Sequence, residues 1–318
     1  MTQPKYRNRL PQLGTTHLLT DGGIETTLIF HEGLDLPLFA AFTLLSSEQG
    51  QDALRRYYES YIQVAHAQSA GLILDSATWR ASRVWGAQLG YDARALADAN
   101  RAAVAMLFDL RSRYEGAAPF VVSGNVGPRS DGYIADELLT PSAADAYHAE
   151  QIATLATAGV DMISAITMTH AGEAAGIARA CRRLGMPLAL AFTVETDGRL
   201  PSGQTLGDAI REVDADPSGG PSYYMINCAH PDHFRSALQT REDWPLRIGG
   251  LRANASRKSH AELDEAETLD VGDPRALGRD YASLLPLLPN LRVFGGCCGT
   301  DHRHIHEIGH ACLPARAA

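Results

Sequence analysis

The stretch Tyr223-Tyr224-Met225-Ile226-Asn227-Cys228-Ala229, followed by the segment Pro231–Leu238, is one copy of the pattern that decides the fold. Its first part is a short apolar, aromatic-rich run near polar punctuation, which reads as a strand; its second part reads as a helix. The same alternation recurs along the chain. Further strand candidates are His17–Gly23, Leu72–Thr78, Phe120–Gly127, Met162–Met168, Pro187–Val194, Leu246–Ala253 and Arg292–Cys297. Helical candidates between them are Ser46–Ala70, Asp92–Tyr114, Ser142–Ala158 after Pro141, Gly172–Leu184, Thr205–Val213, Arg275–Leu288 and Asp301–Ala311. Strict strand-then-helix order predicts a parallel sheet, and eight units predict closure into a (β/α)8 TIM barrel rather than an open doubly wound sheet.

No linker rich in Ser, Gly or Pro divides the 318 residues, so residues 1–318 are expected to form one barrel domain. The acidic stretch Ala261–Gly272 is the best loop candidate. A hydrophobic content of 45% supplies a large core. The formal charge of −9 argues against nucleic acid or an anionic membrane as partner. Met1–Leu19 lacks the apolar core of a signal peptide, and no run approaches the length of a membrane span. Five cysteines, two of them adjacent, do not resemble a secreted disulfide framework, so a cytoplasmic protein is expected.

Barrels of this kind carry their chemistry where strands end. The unusual residues fall there: Asp21-Gly22-Gly23, Asp75 to Trp79, Gly124-Asn125, Asn227-Cys228, and Gly295-Gly296-Cys297-Cys298-Gly299-Thr300. Cys228 ends strand six, and Cys297 with Cys298 ends strand eight. Neighbouring side chains on a regular strand point to opposite faces, but flanking glycines permit a turn that aims both sulfurs one way. Three thiolates would leave one open corner on tetrahedral zinc, the arrangement of a catalytic site. Ordinary buried cysteines or a vicinal disulfide is the competing reading. An all-sulfur ligand set keeps a bound thiolate nucleophilic, which points to alkyl transfer rather than hydrolysis. Cys181 and Cys312 lie in helices and read as fillers.

These segments give the chain a resemblance to the homocysteine S-methyltransferase family, running from Thr20 to about Ile308. It rests on Asp21-Gly22-Gly23 with Thr26, Gly124-Asn125-Val126-Gly127-Pro128, Asn227-Cys228 and Gly295 to Thr300. The resemblance implies that Cys228, Cys297 and Cys298 are zinc ligands and that the Asp-Gly-Gly turn helps hold the amino-acid end of homocysteine. Backbone N–H groups freed by Gly22-Gly23 would suit a carboxylate. The expected substrate contacts are Asp21, Gly22, Gly23, Glu25, Thr26, Trp79 and Asn227, with Asn227 also placed to orient the ligand beside it. The implied partners are a small-molecule thiol acceptor and a sulfonium or quaternary ammonium methyl donor, and the oligomeric state stays open.

Two departures stand out. Where the family carries an aromatic-Glu-Thr run at strand four, this chain has Ala165-Ile166-Thr167; Glu25 sits in the strand-one loop, and His170 follows strand four. Either Glu25 or Asp75 replaces the missing carboxylate, or the acceptor lacks an α-amino group. Arg80, beside Trp79, is a candidate for a substrate carboxylate or a plain surface arginine. Two other functions remain: a zinc-binding barrel that acts as a non-catalytic sensor, and a zinc hydrolase using His306 and His310 of His306-Glu307-Ile308-Gly309-His310.

Overall fold

Each apolar run forms a strand, and the eight strands close into one parallel barrel in chain order. The computed structural model describes residues 3–136, 138–265 and 268–314. The strands are β1 (Leu18–Leu19), β2 (Gly71–Asp75), β3 (Phe120–Val126), β4 (Met162–Met168), β5 (Leu188–Thr193), β6 (Tyr223–Asn227), β7 (Ile248–Ala253) and β8 (Val293–Gly296). Closure occurs where Leu18 pairs with Val293 and Leu19 with Phe294. The principal helix after each strand is, in turn, α1 (Glu48–Gln68), α2 (Ala93–Tyr114), α3 (Pro141–Ala158), α4 (Ala171–Arg183), α5 (Leu206–Asp214), α6 (Pro231–Leu238), α7 (Pro274–Leu284) and α8 (His302–Cys312). Side-chain caps start all eight; Ser47, Asp92, Thr140 and Thr205, for example, each accept a backbone N–H of the first helical turn.

Alternate side chains divide the core into two layers. Leu18, Ile73, Val121, Met162, Ile166, Ala189, Ala191, Tyr223, Met225 and Val293 fill the barrel. The other faces pack against the helices. The N-terminal arm closes the far end: Lys5 and Tyr6 give their backbone N–H groups to the buried Asp161 carboxylate at 2.6 and 2.8 Å, and Arg111 pairs with it at 2.6 Å.

Four expectations need correction. The first strand has two residues rather than seven, because the chain leaves the sheet at Asp21 and turns into the short helix Ile24–Thr26. The second stops at Asp75, where Thr78 N–H bonds to Ser76 O at 2.7 Å and forms a turn. The seventh begins at Ile248, since Pro245 has no N–H for a ladder and Trp244–Arg247 forms a 3-10 turn. The acidic stretch after β7 opens as a helix, His260–Asp264, which Ser259 and Glu262 cap reciprocally. Ala266 and Glu267 of that stretch lie outside the described residues, as do Met1 and Thr2. Among the described residues, no helix is long and apolar enough to cross a membrane.

Candidate metal centre

The end of β7 fastens both cysteine stretches. Cys228 N–H donates to Arg252 O at 3.1 Å, Cys297 N–H to Ala253 O at 2.9 Å, and Ala255 N–H to Cys298 O at 3.0 Å. Cys297 and Cys298 lie beyond β8 on a turn closed by Thr300 N–H to Cys297 O, so strand alternation no longer separates their side chains. All three sulfurs come within 4.8 Å of one another, with Cys228 buried and the other two half-buried. Cys228 and Cys297 are joined as a disulfide with Cα atoms 5.4 Å apart, and Cys298 stands outside it. The pairing is therefore not the vicinal one weighed from sequence.

The glycines act differently from expectation. Of Gly295, Gly296 and Gly299, which flank the cysteine pair, Gly299 alone adopts a left-handed φ, +77°, and the matching left-handed residue at β6 is Cys228 itself, φ +54°. A Cβ on Gly295 or Gly296 would collide with the Thr20 or Thr300 hydroxyl. Those two glycines permit close packing beneath the turn.

Polar groups converge on the sulfurs. Asn227 is fully buried, and its Nδ2 donates to Thr167 Oγ1 at 2.9 Å and approaches Cys228 Sγ at 3.3 Å and Cys297 Sγ at 3.9 Å. Its Oδ1 accepts Thr167 N–H at 3.0 Å, across a register shift where Thr167 turns to φ +66°. The Tyr133 hydroxyl, from the loop after β3, lies 3.0 Å from Cys298 Sγ and 3.8 Å from Cys228 Sγ. The His260 ring packs on that tyrosine at 4.2 Å, bonds Cys228 O at 2.5 Å, and meets Glu195 Oε1 at 3.1 Å.

Beside the cysteines lies a buried charge group. Arg252 on β7 pairs with Asp21 at the end of β1 and with Asp75 at the end of β2, the latter at 2.5 Å. Tyr57 donates to Asp21 Oδ2 at 2.9 Å. Burial works against the Arg252 cation, yet the two carboxylates outweigh it and hold its pKa above the usual range. The Asp-Gly-Gly turn is likewise committed. Gly23 N–H donates to Thr300 O at 3.0 Å, so it is not open to a substrate carboxylate as expected. A Cβ on Gly22 would come within 2.8 Å of Thr300 O and Tyr61 Oη, which explains glycine there. Thr26 Oγ1 accepts Gly299 N–H at 3.1 Å and ties the first loop to the cysteine turn. Burial pushes the half-buried Glu25 up to about 7, with Asp21 adding to the effect.

Trp79 forms another part of the wall. Its Nε1 reaches Ile166 O at 3.5 Å, and Gly127 N–H donates to Trp79 O at 3.1 Å. A Cβ on Gly127 would strike the indole, so the Gly-Asn-Val-Gly-Pro run is a strand end shaped to seat Trp79. Ile166 faces the apolar barrel interior. Arg80 is buried, not a surface residue.

Three other sequence features fall elsewhere. His306 and His310 are exposed on α8, and among the described residues neither belongs to a group of three potential ligands. His170 caps α4 by accepting Glu173 N–H. Cys181 and Cys312 are buried in α4 and α8, as expected of fillers. The sequence reading missed Arg252, Tyr133, Tyr57 and His260. Only Arg252 carried a signal, a charge inside the apolar run Ile248–Ala253, which needs a partner when buried.

The chain matches the family model of homocysteine S-methyltransferases over residues 18–312. Among solved structures it is similar to the homocysteine methyltransferase MmuM from Escherichia coli. The oxidised form has 20% identity and a TM-score of 0.75 over 96% of this chain and 99% of that one. The metallated form has 19% identity and a TM-score of 0.71 over 94% and 97%. At these identities the likeness concerns the fold. A comparison with curated proteins finds no match. The family model spans the barrel, including the strand ends that bring the three cysteines together, and the chain belongs to the homocysteine S-methyltransferase family.

Proposed function

We propose that this barrel, residues 1–318 acting as one domain, is a zinc-dependent S-methyltransferase. It moves a methyl group from a small sulfonium or quaternary ammonium donor to a thiol, homocysteine or a related small molecule. The observation that carries this reading is the convergence of Cys228, Cys297 and Cys298 at the C-terminal mouth. Sulfur ligands about 2.3 Å from a tetrahedral zinc lie roughly 3.8 Å apart, a spacing the three side chains can reach once Cys228 and Cys297 are reduced. That need for reduction fits a cytoplasmic enzyme. The existence of a metallated form of MmuM also supports a metal in this fold.

When bound, zinc would keep the acceptor sulfur as thiolate at neutral pH, where a thiol of pKa about 8.5 is mostly protonated. The chain's own residues do the positioning. Asn227 donates toward two of the sulfurs and is itself fixed by Thr167. Tyr133, backed by the His260 ring, covers the third. Enclosing thiol and methyl group under this cover brings them into contact geometry, and orientation of that kind supplies much of a methyl transfer's acceleration.

The test is a screen of reduced, zinc-loaded protein with sulfonium, betaine-type and methylated-thiol donors against homocysteine and simpler thiols. Turnover that vanishes with a chelator and returns with zinc is expected. A fully loaded protein that turns over no pair contradicts the proposal. Asn227→Ala is expected to weaken zinc binding about 10–100-fold in chelator competition; unchanged affinity would show that Asn227 does not orient the ligands.

A further inference from the structure

We propose that Arg80 is an anion anchor in the wall of the mouth, and that it binds the carboxylate of a co-substrate. Arg80 follows Trp79 in the loop after β2 and is only 7% exposed. Its guanidinium carbon lies 3.5 Å from the Trp85 ring centroid and 4.2 Å from that of Trp79, so two indoles fix the plane of the fork. Nη1 donates to Ser130 O at 3.2 Å, while Nε is buried with no hydrogen-bond partner among the described residues. No carboxylate comes within ion-pair distance of Arg80 among the described residues, and Asp131 and Glu25 act on it only from farther off. The other deeply buried arginines differ: Arg111 has Asp161 and Arg252 has Asp21 and Asp75. A buried guanidinium with an orphaned donor is costly unless a ligand completes it, and its planar fork matches a carboxylate.

The location ties this cation to the cysteine site. Trp79 reaches the end of β4 through Ile166 O, and Gly132 packs against both Trp79 and Thr167. The next residue is Tyr133, whose hydroxyl meets Cys298 Sγ. Burial lowers the Arg80 pKa to about 10, which leaves it cationic at neutral pH. On the acidic side, Asp21 and Asp75 already hold Arg252, and Ile166 offers only apolar surface. Glu25 is the remaining strand-one carboxylate. Arg80 therefore offers the mouth a cation held in no ion pair among the described residues, suited to the anionic end of a small thiol or onium compound.

The identity of the ligand as a co-substrate rests on the methyl-transfer reading; the existence of an anion site does not. The experiment therefore reads binding without turnover. The chain has three tryptophans, and two of them flank Arg80. Their fluorescence is titrated in reduced, zinc-loaded protein with 3-mercaptopropionate, its methyl ester and homocysteine. A parallel arm compares carboxylate-bearing sulfonium donors with trimethylsulfonium. Loss of a charged hydrogen-bond partner should weaken binding at least about tenfold. The wild type should prefer acid to ester by that margin, and Arg80→Met should abolish the preference while binding the ester as well as the wild type does. Arg80→Lys, which keeps charge without the fork, should restore part of it. The arm that shows the dependence identifies whether acceptor or donor brings the carboxylate. An acid-to-ester ratio unchanged by Arg80→Met in both arms overturns the proposal. A protein that binds as expected yet transfers no methyl group would sink the methyl-transfer reading alone.

Discussion

Cys298→Ser is expected to lower zinc affinity by more than about 100-fold and to abolish methyl transfer, because even groups one shell beyond the ligands change metal affinity about 10–100-fold. Cys298 is the informative choice. It lies outside the Cys228–Cys297 disulfide, so its substitution leaves that pair able to form and the barrel intact. Serine keeps the size but replaces a thiolate by a hydroxyl that stays protonated at neutral pH. The Tyr133 hydroxyl would then face an oxygen instead of a sulfur. Zinc content after dialysis against a weak chelator is the measurement, with thermal unfolding of the reduced apo-protein as control. A variant that retains stoichiometric zinc would remove Cys298 from the ligand set.

Arg252→Met is expected to destabilise the fold by about 3–5 kcal/mol, the usual cost of removing one partner from a buried ion pair. Asp21 and Asp75 are both more than nine-tenths buried, and they would share the barrel mouth without a cation. Burial already pushes the Asp21 carboxyl up, and without the opposing Arg252 cation it would take up a proton more readily in the folded state than in the unfolded chain, where an aspartate titrates near about 3.9. A raised folded-state pKa contributes stability below the unfolded value that is lost as pH rises. The penalty should accordingly shrink as pH falls toward about 4. Urea unfolding at pH 7.5 and 4.5 tests both parts. A loss below about 1 kcal/mol at neutral pH would place the group among weak ion pairs.

The alternation of apolar runs with helical segments carried the barrel because it depends on local periodicity, which a single sequence displays. Strand limits were less visible: β1 is cut short by a turn in which Gly22 is required by contact with Thr300 and Gly23 by contact with Cys297, both far along the chain. The three cysteines were legible because their type is rare and their positions fall at strand ends. Their company was not. Tyr133 comes from a loop, and His260 opens a short helix that runs into the stretch Ala261–Gly272, which read as a loop. Ile166 marks the opposite case. Its apolar character was plain in the sequence, and the structure gives it a place in the inner layer of the barrel.

X-ray absorption at the zinc edge of the reduced, metal-loaded wild type tests the metal centre most directly. The account predicts three sulfur neighbours at about 2.3 Å and one lighter atom, changing to four sulfurs when a thiol acceptor is added. A first shell with fewer than three sulfurs, or one that a thiol leaves unaltered, would contradict it.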